Sequence, residues 1–366
     1  MYSISDNSDL VQSLLEWFRL NGRDLPWRRT YDPYHVWISE IMLQQTQMDR
    51  GVEYFLRWVE RFPDVASVAK ANEQEILKYW QGLGYYARAR NLHSAAKKIQ
   101  LENNGDVPCD YEQLLLLPGI GPYTAAAIAS VAGNRNVAVV DANVSRVYAR
   151  LYDIKEPVKS SRAQKEIAAI ANGLLPLGRA RMYNQALMDF GGLVCRPKKP
   201  LCEECFLSEC CMAFQAGIVA ERPVTSPTKK SVNIKKVAAV IVCEGKFFIQ
   251  QRQVKAVWGG LWEFPGGELK ATEGQEEILC QKVFDTTGLR IKVLEPITTV
   301  LHQYTHHKIT LYSYLCAIDG TDTRVRLQDA GDFRWVYPDE IDDFGFPAGP
   351  RMILEFIQSS NPELLS

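Results

Sequence analysis

The chain is predicted to fold as two domains. Residues 1–222 form an all-α half, residues 223–234 a linker, and residues 235–366 an α+β domain. Three observations lead there. Before residue 223, apolar side chains recur at helical spacing, as in Leu10, Leu14, Trp17 and Phe18, and again in Val52, Phe55, Leu56 and Val59. The run Pro223-Val-Thr-Ser-Pro227-Thr-Lys-Lys-Ser is polar and proline-rich, the composition of a linker. After it strand signals dominate, at Val237–Cys243, Lys246–Gln251, Ile291–Val293 and Ile309–Ala317. A chain of 366 residues is long enough for two separate cores.

Composition narrows the function classes. The chain is 46% hydrophobic and 23% charged with net charge −1, which argues against a strongly basic nucleic-acid binder. Any contact with nucleic acid must come from local basic clusters. No apolar run reaches the ~18 residues of a membrane helix, and the first residues have neither the basic nor the apolar part of a secretory signal. A cytoplasmic chain without a membrane partner is expected. Nine cysteines in such a chain favour metal ligation for the clustered ones.

In chain order, the first chemical signal is Leu25-Pro26-Trp27-Arg28, followed by Val36-Trp37-Ile38-Ser39-Glu40-Ile41-Met42-Leu43-Gln44-Gln45-Thr46. One acid stands among apolar side chains. Burial of Glu40 on a helix would favour its protonated form. Most such glutamates are exposed helix acids.

Next comes a helix, a glycine turn and a second helix at about 111–133. Asp110 and Gln113 have capping-box spacing for a helix through Leu117, and Pro118 stops it. Gly119 and Gly121 permit positive φ and clear side chains from the backbone. Pro122 suits the first helical position. The free N–H groups of such a turn suit a phosphate. About twenty residues on, Val139-Val-Asp141-Ala-Asn143-Val-Ser-Arg146 places a carboxylate at a helix start. The N-terminus and its N–H groups are expected to keep Asp141 ionised. An ionised carboxylate can stabilise an oxocarbenium-like sugar or add to it. An ordinary N-cap is the plain alternative.

Cys195, Cys202, Cys205 and Cys211 follow as C-x6-C-x2-C-x5-C, a spacing that leaves both zinc and an iron–sulfur cluster open. Cys210 is a spare thiol beside them. Cys109, Cys243, Cys280 and Cys316 read as small buried hydrophobes. Between the first two clustered cysteines, Arg196-Pro-Lys198-Lys199-Pro is a rigid basic loop that suits a phosphate backbone.

The string L-P-G-I-G-P-Y-T at 117–124, standing before V-D-A-N-V-S-R, resembles the helix-hairpin-helix DNA glycosylases of the endonuclease III superfamily, and within it the adenine DNA glycosylase (MutY) family. The resemblance covers nearly the whole chain. It implies a glycosylase fold in residues 1–222 with a [4Fe–4S] cluster on the loop at 195–211. It also implies base excision acting on duplex DNA with adenine opposite 8-oxoguanine or G, by a monomer. Asp141 matches the catalytic aspartate, Glu40 the general acid, and Asn143 a residue that orients the aspartate. Tyr123 stands where bifunctional members keep a Schiff-base lysine, which points to a monofunctional enzyme. Trp27, Arg28, Leu43 and Gln185 match the lining of the adenine pocket. Gln45 and Tyr85 match side chains that enter the base stack, and Gly119 and Gly121 the phosphate-binding turn.

Trp262-Glu-Phe-Pro-Gly-Gly267-Glu268, with Glu273 and Gly288-Leu289, resembles a Nudix box in which Lys282 and Thr286 stand in place of two glutamates. Divalent metals need several carboxylate oxygens, so the resemblance implies a Nudix-like fold without nucleotide hydrolysis. Tyr304-Thr305-His306 matches its 8-oxoguanine-reading loop, with Tyr304 in place of the usual phenylalanine. The alternatives are a bifunctional glycosylase/lyase, a Nudix hydrolase, and an iron–sulfur DNA sensor without catalysis.

Overall fold

The computed structural model of the chain describes residues 7–225, 231–270 and 274–360. Pro227 and its neighbours at 226–230, and Glu273, lie outside them. The chain divides into two compact units, Met1–Lys70 with Asn91–Thr228 and Ala71–Arg90 with Lys229–Ser366. Residues 71–90 thus belong with the C-terminal unit by compactness, although their sequence reads as a continuation of the helical half.

The helices up to the linker are α1 (Asn7–Asn21), α2 (Pro33–Leu43), α3 (Met48–Arg61), α4 (Val65–Lys70), α5 (Glu73–Trp80), α6 (Ala87–Glu102), α7 (Tyr111–Leu115), α8 (Pro122–Val131), α9 (Ala142–Leu151), α10 (Ser161–Leu174), α11 (Ala180–Leu193) and the short α12 (Met212–Gln215). The main core of the first unit is built from the spacing seen in sequence. Leu10, Leu14 and Phe18 of α1 meet Val144, Val147 and Tyr148 of α9, Ile167 of α10 and Leu187 and Phe190 of α11. Burying side chains of this size stabilises by about 1.5–3 kcal/mol each.

The hairpin departs from the sequence reading at two points. The first helix ends at Leu115 rather than Leu117, because Leu116 and Leu117 donate to the carbonyls of Gln113 and Leu114, an i→i+3 pattern that tightens the last turn. Gly119 adopts a positive φ of 75°, and a Cβ there would lie 2.5 Å from Cβ of Asn91. Gly121, expected to need the same freedom, has φ −93° and open space at its Cβ position. Its contribution is the cleared approach to the backbone. Pro122 opens α8 as expected, and Ala125 to Ala129 are fully or nearly buried.

The second unit is a seven-stranded mixed sheet of β1 (Val232–Cys243), β2 (Lys246–Arg252), β3 (Trp262–Glu263), β4 (Gly266–Glu268), β5 (Ile291–Tyr304), β6 (His307–Ile318) and β7 (Ala330–Val336). The main path runs β3-β2-β1-β6-β5, with β4 on β1 and β7 on β2; β1 and β6 pair in parallel and the other pairs are antiparallel. Strand alternation sends Val237, Ala239 and Ile241 to a core with α13 (Gln275–Thr287), while Ala238 and Val240 face α14 (Ala348–Ser360). Near-continuous apolar runs suit a sheet covered on both faces. The strand expected at Ile291–Val293 extends to Tyr304, and β7 carried no sequence signal. Tyr304 faces His307 across the ladder, so Thr305-His306 is the two-residue turn of a hairpin rather than a plain strand end. On α13, Lys282 lies against β4, where a Cβ on Gly267 would come within 2.9 Å of its Cδ. Thr286 donates to the carbonyl of Lys282.

Candidate active site

Glu40 sits near the C-terminal end of α2. Asp32 caps that helix by accepting from the N–H groups of Tyr34 and His35, and Val36, Trp37, Ile38 and Met42 bury its other faces. Glu40 is 9% exposed. Its Oε2 accepts from the Tyr123 hydroxyl at 3.0 Å. Burial pushes its carboxyl up to about 7, opposed by the Tyr123 hydrogen bond, assisted by the charge of Asp141, and opposed again by Arg28. Burial and the two carboxylates push the Tyr123 phenol far above its ordinary value, so it stays a donor.

Asp141 is the N-cap of α9. Its Oδ1 accepts from Val144 N at 2.6 Å and its Oδ2 from Asn143 Nδ2 at 2.8 Å. Sequence reasoning expected burial and the helix start to push the two carboxylates in opposite directions. Instead both move up. Burial raises Asp141, and the hydrogen bonds from Val144 and Asn143 and the charge of Arg146 only offset part of it. The two acids differ in their donors: Asp141 has backbone N–H groups, an amide and a nearby guanidinium, and Glu40 has one phenol. Where two coupled carboxylates share a site, the better-solvated one ionises first and holds the proton on the other. That order favours the ionised form at Asp141 and the protonated form at Glu40.

Asn143 is itself held. Its Oδ1 accepts from Arg146 Nη2 at 2.8 Å, while Arg146 Nε donates to the Cys195 carbonyl at 2.8 Å and Nη2 also to the Gly191 carbonyl. Arg146 is the last residue of the V-D-A-N-V-S-R string, three positions after Asn143 on the same helix. That i,i+3 spacing was the available signal for its role.

Arg28 and Trp27 follow Pro26 in a single 3₁₀ turn. Trp27 is buried edge-on against Phe55, with ring centroids 5.1 Å apart. The Arg28 guanidinium is committed to Asp189, at 2.7 and 2.9 Å, leaving its buried Nε without a partner among the described residues. Asp189 is fully buried on α11 and is also bonded by the N–H and guanidinium of Arg23. Burial pushes its carboxyl up, but the Arg28 and Arg23 bonds and charges outweigh it and hold it below the usual range. Sequence reasoning missed Asp189, whose partners are more than 160 positions away.

Gln185 is 1% exposed and donates to the Arg181 carbonyl at 3.0 Å and to the Tyr31 hydroxyl at 3.4 Å. Tyr31 itself carried no signal; its ring lies under the Arg181 guanidinium. Leu43 is half-buried, packed so closely on Gly51 that a Cβ there would meet its Cδ2 at 2.5 Å. Gln45 is exposed with φ 59°. Gly119 and Gly121 are exposed at the hairpin turn. Tyr85, Tyr304, Thr305 and His306 all belong to the second unit, and the Tyr85 and Tyr304 rings lie 6.0 Å apart.

The four spaced cysteines line one apolar hollow whose walls include Val147, Leu151, Phe190 and Leu207. Burial, with the three other cysteines adding to it and a backbone bond from Leu207 opposing it, pushes the Cys205 thiol up to about 12. Arg150 Nη1 donates to Cys195 Sγ at 3.3 Å. Cys210 is not part of that lining, and its Sγ donates to the Leu207 carbonyl. Among the described residues, no three His, Cys, Asp or Glu side chains come close enough to share a single metal ion. The donor set is therefore four soft sulfurs spread around one apolar hollow, beside an arginine that can offset negative charge. Arg196, Lys198 and Lys199 of the adjoining loop are exposed.

Known proteins resemble this chain in both its helical and its sheet-containing parts. Residues 38–172 fit the model of the HhH-GPD superfamily base excision DNA repair protein, and residues 237–356 that of the NUDIX domain. The adenine DNA glycosylase of Homo sapiens is 30% identical, aligned over 96% of this chain and 74% of the relative. That of Buchnera aphidicola subsp. Schizaphis graminum is 34% identical, over 71% and 75%. That of Mycolicibacterium smegmatis is 41% identical, over 57% and 72%. Among solved structures, a thermostable thymine-DNA glycosylase is similar over 57% of this chain and 97% of its own, with a TM-score of 0.53 and 31% identity. A non-covalent endonuclease III–DNA complex shares the fold over 59% of this chain, with a TM-score of 0.50 and 21% identity.

Proposed function

Because the chain belongs to the adenine DNA glycosylase family, and is thereby a DNA N-glycosylase of base excision repair, we propose that it hydrolyses adenine from pairs with 8-oxoguanine or G in duplex DNA. The observation that carries the chemistry is the buried Glu40 carboxyl, pushed up to about 7 and bonded to Tyr123 within the field of Asp141. The target base must leave the stack before its glycosidic bond is accessible, and Gln45 and Tyr85 fill the gap. Protonated Glu40 gives its proton to N7 of adenine, which withdraws electrons from the glycosidic bond. As that bond breaks, its electron pair leaves with the base. Ionised Asp141, held by Asn143, faces the positive sugar carbon, and water then supplies the new C1′–O bond and loses a proton. Trp27, Arg28, Leu43 and Gln185 line the adenine site. Tyr123 brings a hydroxyl where a lyase needs an amine, so the enzyme is monofunctional and strand cleavage awaits added base or heat. The hairpin turn at Gly119 and Gly121 and the basic loop at 196–199 hold phosphates.

Cys195, Cys202, Cys205 and Cys211 would hold a [4Fe–4S] cluster, which supplies the scaffold that fixes the basic loop. Paired C-x-x-C knuckles would favour a single zinc, and the C-x6-C-x2-C-x5-C spacing is not that pattern. Protein purified with its metal retained is expected to be brown and to carry about four irons per chain. Cys202→Ser should lose that iron, whereas Cys210→Ser should keep it. Colourless protein with one zinc would refute the assignment.

The second unit reads the opposite base. 8-Oxoguanine carries a hydrogen at N7 that guanine lacks. Thr305, exposed at the hairpin tip, offers a hydroxyl that can accept it. A good contact of this kind is worth about 1–3 kcal/mol of discrimination. The test is single-turnover excision on duplexes with A opposite 8-oxoguanine or G. Adenine release from both is expected, with a preference for the modified pair that narrows about 5- to 150-fold when Thr305 and His306 are both changed to Ala. An unaltered preference in that variant would remove lesion reading from this loop, and no adenine release from either duplex would remove the function.

A further inference from the structure

Ten non-glycine residues among those described have a positive φ. Such backbone is costly for ordinary side chains and persists where the surroundings impose it, often at functional positions. Gln45, Tyr85, Lys199 and Thr305 are four of the ten, and each is placed above at the DNA. Trp258, with φ 58°, is a fifth that the proposed function does not use. Its loop is heavily constrained. Gly260 N donates to the Arg252 carbonyl, Gly259 N to Ala256 and Leu261 N to Trp258, while Arg252 Nε returns to the Val257 carbonyl at 2.7 Å. A Cβ on Gly259 would lie 2.2 Å from the Val254 carbonyl oxygen, so the chain passes there only as glycine. Two side chains from the segment that carries Tyr85 grip the same loop: Arg90 bonds the Gly259 carbonyl, and Gln74 Nε2 the Gly260 carbonyl at 3.2 Å.

What this loop presents is the indole. The Trp258 ring meets Tyr304 edge-on at 5.0 Å and lies 6.1 Å from the His302 ring, with the Arg252 guanidinium 5.8 Å from its centre. Tyr304 in turn lies 6.0 Å from Tyr85. Four half-buried rings, Tyr85, Tyr304, Trp258 and His302, therefore form one row within the second unit. Tyr304 is the last strand residue before the Thr305-His306 turn, so whatever fixes its ring fixes the turn.

We infer that Trp258 is a positioning residue for lesion readout: its indole, set by a left-handed backbone that the 252–261 loop enforces, holds Tyr304 and so aims Thr305 at the modified base. The inference rests on the reading of the 304–306 loop given above.

The test compares Trp258→Ala and Trp258→Phe with the Thr305→Ala, His306→Ala double variant, measuring single-turnover excision opposite 8-oxoguanine and opposite G. The Trp258→Ala protein should lose about two- to tenfold of its preference for the modified pair, the factor of an edge-to-face ring pair. The loss should fall mainly on the 8-oxoguanine duplex, and Trp258→Phe should restore it. Equal loss on both duplexes would make Trp258 merely structural and overturn the inference. So would an unaltered preference in Trp258→Ala while the double variant narrows it. If the double variant also leaves the preference unaltered, the reading of the loop fails first. Should Trp258→Ala excise from neither duplex, Trp258→Leu, which fills the volume without a ring, carries the same comparison.

Discussion

The Glu40→Gln protein is expected to bind adenine-containing duplex and to release the base about 10²–10⁴ times more slowly, the contribution of a positioned proton donor. An amide keeps the shape and the bond to Tyr123 but has no proton to give. The same substitution should stabilise the fold above neutrality. The Glu40 carboxyl rises from its ordinary 4.5 to about 7. Between those values the folded state holds more protons than the unfolded one, so stability falls as pH rises through the interval. Above about pH 7 the buried charge costs on the order of 3 kcal/mol, which glutamine removes. Wild-type excision should therefore decline above about pH 7, and that limb should vanish in Glu40→Gln. Asp141→Asn should also bind without releasing adenine, because an amide can still accept the Val144 bond but cannot face a cation. Single-turnover rates across pH, with denaturant midpoints at pH 6 and 8, check both halves. Near-normal turnover in Glu40→Gln would remove it as the acid.

Asp189→Asn is expected to have the largest effect on stability, about 3–5 kcal/mol at neutral pH, by leaving the Arg23 and Arg28 guanidinium groups against a buried neutral amide. Asp189 is held below the usual carboxylate range by those partners. Its contribution is therefore full above the ordinary aspartate pKa and is lost as pH falls through the lower folded value. The gap between wild type and Asp189→Asn should accordingly be wide at pH 7 and shrink in strong acid. Arg28 also loses its anchor, so adenine release should slow even where the variant is folded. Urea titrations followed by tryptophan fluorescence at several pH values measure the first effect. A gap below 1 kcal/mol at pH 7 would show that water, rather than Asp189, satisfies these cations.

The sequence by itself determined what depends on near neighbours. The hairpin turn was legible because Pro118, Gly119 and Pro122 constrain their own backbone. Asp141 was legible as a cap because its acceptor, Val144 N, is three residues on. The cysteine loop was legible from spacing, and the change from helical to strand periodicity falls between the last helical turn at Val219–Glu221 and β1. The tertiary structure decided whatever needs partners distant in sequence. Asp189 looks like any helical acid until Arg23 and Arg28 arrive from more than 160 residues away. The upward push on the Glu40 and Asp141 carboxyls comes from the packing around them, which no local pattern displays. Strand β5 was read short because Pro296 and the irregular pairing around Val293–Thr298 break its alternation. The strand lies at the end of the sheet path, the position in a sheet where proline is best tolerated. The row of rings from Tyr85 to His302 joins segments more than 200 residues apart, and only the folded chain brings them together.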